Sequence, residues 1–195
     1  MSPENSEPVY FYKPEQENGY LGQWYPSQFK FRWEKPFEGD SKRDTIELLQ
    51  YDNTEQFMMH RKGLLFAPDD PITHQILAKD TATPKPLVLK RLGRKIPNFD
   101  DSVWKKRRYE IVVEGNYLKF TQNRELKEKL LATGNRELVE ASPRDRIWGV
   151  GFGAKNAGAM RKRWGLNLLG KALMEVREKI RNEEETVATA DSIQG

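Results

Sequence analysis

Residues 100–122 read DDSVWKKRRYEIVVEGNYLKFTQ, and this stretch decides the fold class. Asp100 or Asp101 stands where a helix cap belongs, since its carboxylate can accept from the free N–H groups of a first turn. Trp104, Arg108, Ile111, Val112, Gly115, Leu118 and Lys119 then recur near one face at 3.6-residue spacing. One long helix to about Thr121 follows, and it needs other elements to cover that face. Outward from it the chain supplies them. Asn123–Ala132 reads as a helix ending at Gly134, Leu138–Glu140 as a short extended piece, and Asn167–Glu185 as a final helix. Upstream, Thr83–Gly93 opens on prolines and stops at glycine, and Asp70-Pro71 starts a short helix with proline at its first position. Asn53 or Thr54 caps a helix reaching Phe66.

Strand signals are few and short. Val9–Lys13, Phe29–Trp33 and Thr45–Tyr51 carry them, the second alternating aromatic and basic residues as a half-buried strand does. Pro14–Gly19 reads as a loop, Pro36–Lys42 as a turn-rich insert, and Trp148–Gly158 as a glycine-rich segment. The expectation is an α+β, helix-dominated single domain over residues 9–185. A flexible N-terminus (1–8) precedes it and a flexible acidic tail (186–195) follows.

Composition narrows the chemistry. With no cysteine among 195 residues, disulfides, thiolate zinc sites, iron–sulfur clusters and a cysteine nucleophile are all excluded. His60 and His74 are the only histidines and have no partner spacing, so no metal site and no cofactor is expected. No run approaches the ~18 apolar residues of a membrane span, and residues 1–20 lack an apolar signal core. A cytoplasmic or nuclear protein is expected. The 21 aromatic residues argue for a packed core despite 32% charged residues. The net charge of +4 hides a partition: residues 1–60 are net −5, 85–108 net +7, 155–181 net +6 and the last fourteen net −4. Two basic segments suit an anionic, phosphate-bearing partner, although solvated helix faces give the same pattern.

Glu55 and Lys62 are the best-placed reactive pair. Seven residues make two turns, about 10.5 Å of rise, so both project from one face. Met58 and Met59 between them supply apolar surroundings. There a carboxyl holds its proton more tightly and a lysine loses its own more easily, toward general-acid and nucleophile roles. An amphipathic helix with ordinary exposed charges has the same spacing. A second group is Glu140-Ala-Ser-Pro-Arg-Asp145-Arg-Ile-Trp148-Gly149-Val-Gly151-Phe-Gly153. Carboxylates beside an indole suit a sugar site, and closely spaced glycines let backbone N–H groups approach a phosphate. The glycine run is neither a Walker loop nor a dinucleotide fingerprint, and as an ordinary loop it would look the same. Trp104 is either a core anchor or a stacking platform.

These motifs together resemble the NADAR (YbiA-like) family of N-glycosidases, from about Phe11 to Arg181. The most specific part is residues 138–177, LVEASPRDRIWGVGF followed by WGLNLLGKALMEVR, in which Asn167, Leu169, Gly170, Met174, Glu175 and Arg177 supply the last piece. Asn53–Lys62 is similar to the family's Ser-Glu-His helix with its lysine seven residues on. Leu92-Gly93-Arg94 resembles its Gly-Arg step, Trp104 the tryptophan opening the next helix, and Lys119-Phe120-x-Gln122-Asn123 a further motif. Three departures stand out. Gly22-Gln23-Trp24 lies where the family often has Ser-Asn-Phe, Gln56 replaces the usual histidine, and residues 26–44 are longer than compact members need.

The resemblance implies hydrolysis of a bond between a nitrogenous base and a phosphorylated ribose. Two substrate classes go with it: ADP-ribose on guanine, including in DNA, and amino-pyrimidine ribose-phosphates of riboflavin synthesis. It makes Glu55, Lys62 and Asp145 the expected catalytic residues. Trp104, Trp148, Arg94, Gly149, Gly151 and Asn167 are the expected substrate-binding ones. A non-catalytic ADP-ribose or nucleic-acid binding module is the competing reading, and a structural protein docking on an acidic partner is a third.

Overall fold

The computed structural model describes residues 7–34, 46–77 and 85–194. The expected insert at Pro36–Lys42 and the start of the Thr83 helix lie outside the described residues, as does most of the N-terminal segment. The long helix α4 spans Asp101–Thr121 and forms the spine. Asp100 caps it: one carboxylate oxygen accepts from the Ser102 and Val103 N–H groups at 2.7 and 3.1 Å. Its buried face is Ile111, Val112, Gly115, Asn116, Lys119 and Phe120, pairs repeating every four residues.

Helix α1 (Thr54–Phe66) packs on α4. The Asn53 side chain caps it by accepting from Gln56 N–H at 2.9 Å. Gly115 permits the close approach, because a Cβ there would come within 2.6 Å of the Phe57 ring. Two further helices, α2 (Pro71–Leu77) and α3 (Pro86–Gly93), flank α1. The antiparallel strands β2 (Phe29–Glu34) and β3 (Ile46–Tyr51) pair Phe29 with Tyr51 and Glu34 with Ile46. They bring Phe29, Phe31 and Tyr51 around Phe57 at centroid distances of 5.1–5.8 Å. Each such buried ring contributes about 1.5–3 kcal/mol relative to exposure.

On the other side, α5 (Arg124–Ala132) follows α4, and the last helix α7 (Leu168–Gln194) lies along both. A two-stranded parallel sheet rests on α7: β1 (Val9–Phe11) beside β4 (Leu138–Glu140), with Phe11 opposite Glu140. One-turn helix α6 (Ala154–Ala157) interrupts the glycine-rich segment. The α+β expectation holds, with seven helices among the described residues.

Two bounds differ from the sequence expectation. β1 ends at Phe11 rather than Lys13, because β4 offers only three partners. The tail expected to be flexible after Glu185 is helical to Gln194. No glycine or proline occurs between Lys171 and Gln194 to stop it. The turn just before that extension is tied down by Tyr117 and Lys127, which donate to Glu183 and Glu184 at 2.8 and 2.6 Å.

Candidate functional site

The first turn of α1 is built against the loop before β2. Glu55 N–H and the Thr54 hydroxyl donate to the Gln23 carbonyl at 3.1 and 3.2 Å, which fixes Gln23 and Trp24 over that turn. The same loop is held from below. Lys119, with no exposed surface, donates to the carbonyls of Tyr20 and Gly22 at 2.6 and 3.0 Å. Burial pushes its ammonium down to about 7. Glu55 is 4% exposed. Burial pushes its carboxyl up to about 7, against the pull of Lys90 and a hydrogen bond from Trp24.

The last residue of β4 faces the same space. Burial, aided by the charges of Asp145 and Glu55, pushes the Glu140 carboxyl up to about 8. Its Oε2 is buried without a hydrogen-bond partner among the described residues. Near neutrality Glu140 therefore holds its proton, and Oε2 is paired with none of those residues. Asp145 lies in the following loop, where its Oδ1 accepts from the Ile147 and Trp148 N–H groups, both at 2.8 Å. It thus turns the chain so that Trp148 faces the cavity and adds a negative charge beside two carboxyls.

Lys62, two turns along α1 from Glu55, donates to the Gly93 carbonyl at 2.6 Å and lies 4.1 Å from the Phe99 ring centroid. Burial lowers its pKa. Trp104, on the first turn of α4, lies 5.8 Å from the same ammonium. These elements enclose a cavity of about 820 Å³ lined by Glu55, Lys62, Trp104, Glu140, Asp145 and Trp148, with Lys90, Arg94 and Arg144 among its cations.

The structure brings together six of the residues expected at a site: Glu55, Lys62, Asp145, Trp104, Trp148 and Arg94. Gly149, Gly151 and Asn167 do not line the cavity. Gly149 packs against the backbone carbonyls of Glu140 and Asp145, and Gly151, at φ +81°, packs against Arg146. Asn167 accepts from Glu140 N–H at 3.1 Å and donates to the Leu138 carbonyl at 2.9 Å, pinning β4. The glycine loop thus shapes the wall from behind, and no N–H cradle for phosphate faces the cavity from those glycines.

Of the two basic segments, 85–108 supplies Lys90 and Arg94 to the cavity. Much of 155–181 is committed elsewhere: Arg161 pairs with Glu137, Arg177 bonds Thr133, and Arg181 bonds Asn135. His60 accepts or shares a proton with the Tyr51 hydroxyl at 2.8 Å and is pushed down to about 4 by burial, so it is a neutral core residue. Gln56 bridges Asp52 N–H and the Ile76 carbonyl at 2.9 and 3.0 Å, away from the cavity. Gln23 was not read as a site residue, and Glu140, read as one of two carboxylates beside Trp148, was not among the expected catalytic residues. The signal for Glu140 was its place at the end of a buried strand entering the Asp145 loop.

Residues 10–181 match the model of the NADAR domain. An N-glycosidase of Acanthamoeba polyphaga mimivirus is 41% identical over 161 residues, 82% of this chain and 86% of that protein. A riboflavin biosynthesis protein of Vibrio vulnificus is 29% identical over 89% of this chain but only 39% of its own length. Among solved structures, the NMR structure of the E. coli protein YbiA superposes with a TM-score of 0.64 at 23% identity, over 92% of this chain and 88% of that one, a likeness of fold.

Proposed function

From the premise that this chain belongs to the NADAR family and hydrolyses N-glycosidic bonds, we propose that its substrate is ADP-ribose joined to guanine, as a nucleotide or in DNA. The observation that carries this reading is the convergence, on one cavity, of a protonated carboxyl, a second titrating carboxyl, a buried lysine, three tryptophans and four further cations.

Cleavage of a C1′–N bond passes through an oxocarbenium-like state. The departing base must gain a proton, and C1′ must gain an electron pair. Glu140 supplies the proton, since it alone combines a proton at neutral pH with an unpartnered oxygen. Glu55, once ionised, stabilises the cation and draws a proton from the attacking water. The alternative route uses Lys62, whose neutral amine bonds to C1′ as the C1′–N bond breaks and the base leaves with the Glu140 proton. The new ammonium passes a proton to the Glu55 carboxylate, the C1′–O4′ bond breaks, the ring oxygen takes that proton, and the resulting Schiff base is hydrolysed by water to free sugar and amine. Trp104 and Trp148 stack on base or ribose. Lys90, Arg94 and Arg144 neutralise a diphosphate.

A second reading, cleavage of amino-pyrimidine ribose-phosphates, is favoured by the Vibrio relative's name. One assay separates them. The protein is incubated with ADP-ribosylated guanine DNA and, in parallel, with pyrimidine ribose-phosphates, and released sugar phosphate is measured. Turnover of the DNA substrate is expected; turnover of the pyrimidines alone selects the second reading. Glu55→Ala with unchanged binding and lost turnover separates an enzyme from a binding module.

A further inference from the structure

We propose that Gln23 is a specificity-determining residue of this site, whose side-chain carbonyl accepts an N–H from the amino-bearing edge of the departing heterocycle; this rests on the reading above. Gln23 is 7% exposed and lines the cavity, yet its Oε1 has no partner among the described residues. Its Nε2 makes only a long contact of 3.8 Å with the Met58 sulfur. A buried amide carbonyl on a cavity-lining side chain is costly unless a donor completes it. The backbone of Gln23 is fixed beside the cavity, because its carbonyl accepts from Glu55 N–H and the Thr54 hydroxyl.

The chemistry of the neighbours selects the ligand group. Phosphate oxygens only accept, so they are repelled by Oε1 and are matched instead by Lys90, Arg94 and Arg144. The adenine amino group and the ribose hydroxyls also donate, but the departing base is the donor-bearing part whose leaving nitrogen must come to the Glu55 and Glu140 carboxyls, beside Gln23. Trp24 and Met58 flank Gln23 with the flat, polarizable surface that a heterocycle packs on. Guanine and amino-pyrimidinones share an amino group beside a ring N–H, so one acceptor serves both. Gln23 also falls where the resembling family often has asparagine: the amide is kept and carried one methylene further into the cavity.

The test uses the full chain and calorimetric titration with guanosine and inosine, which differ by the amino group alone. The wild type is expected to bind guanosine at least tenfold more tightly. Gln23→Leu and Gln23→Met, two apolar near-isosteres, are expected to bring that ratio to about one with the melting temperature unchanged. A parallel pair, 2-aminopyrimidin-4-one and pyrimidin-4-one, tells a single ring from a fused one; an amino preference lost with Gln23 in either pair supports the proposal. Amino preference absent from both wild-type pairs, or kept by both variants, overturns it. If the chain cleaves no glycoside, the substrate reading fails by itself, and these ratios still decide the role of Gln23.

Discussion

Lys62 donates its ammonium to the carbonyl of Gly93 at 2.6 Å, tying α1 to the last residue of α3 at the cavity wall. That bond, with the Phe99 ring, fixes the nitrogen in place, while burial lowers its pKa and enlarges the neutral fraction available for attack. If C1′ passes through Lys62, borohydride added during turnover traps a covalent adduct that is absent in Lys62→Ala. Lys62→Arg keeps a donor for Gly93 but has no nucleophilic amine, so it too should give no adduct. Both are expected to lose at least about a hundredfold in kcat, about 2.7 kcal/mol of barrier. An unchanged rate in Lys62→Arg assigns the chemistry to the carboxyls alone.

Burial pushes the Glu55 and Glu140 carboxyls up to about 7 and about 8, and the Glu55 charge adds to the shift of Glu140. With Glu55 needed ionised and Glu140 protonated, kcat/KM should trace a narrow bell between those values. Glu140→Gln removes the falling limb and Glu55→Gln the rising one, each with a large drop in rate. Stability carries the opposite mark. Both folded-state values are raised above the ordinary 4.5, so their contribution is fully present below about pH 4.5 and lost as pH rises through 7–8. Either glutamine variant is therefore expected to be more stable than wild type at pH 9, by on the order of 2 kcal/mol. Denaturant midpoints at pH 5 and 9 measure this.

Lys119 makes a different prediction. It has no exposed surface and holds two carbonyls of the loop that presents Gln23 and Trp24. Lys119→Met fills the volume but leaves both carbonyls without that donor. A loss of about 2–4 kcal/mol is expected, with weaker substrate binding as Trp24 loosens over Glu55. A melt unchanged from wild type would mean that water replaces the ammonium at no cost.

What could be read in advance followed local rules. The caps Asn53 and Asp100 and the periodic face of α4 are sequence-local, so those helices and the Glu55–Lys62 spacing were legible. Lys119 was placed on the correct face of α4, but nothing local says that a lysine is buried there; its partners are about a hundred residues away. Glu140 needed the register of β4 against β1 and the turn at Asp145 before its side chain could be placed. The glycines at 149 and 151 showed the limit of pattern: close backbone approach serves a phosphate or a neighbouring strand equally, and here it serves β4 and Arg146.

Asn167 separates positioning from binding. It sits at φ +50°, a left-handed conformation that asparagine tolerates and β-branched or bulky residues do not. From there it accepts from Glu140 N–H and donates to the Leu138 carbonyl, holding both ends of β4, while Gly170 lets α7 approach that same carbonyl too closely for any side chain. Three substitutions divide these roles. Asn167→Gly relieves the backbone but drops both bonds; Asn167→Asp keeps the acceptor for Glu140 and loses the donor to Leu138; Asn167→Ala loses both and adds strain. Melting temperature should fall in the order Asp, Gly, Ala, with about 2–3 kcal/mol lost in Ala. Because Asn167 does not reach the cavity, the signature in activity should be a shift of the Glu140 limb of the pH profile and a lower kcat, with KM nearly constant. A rise in KM with kcat unchanged would place Asn167 on the substrate, as the family resemblance implies.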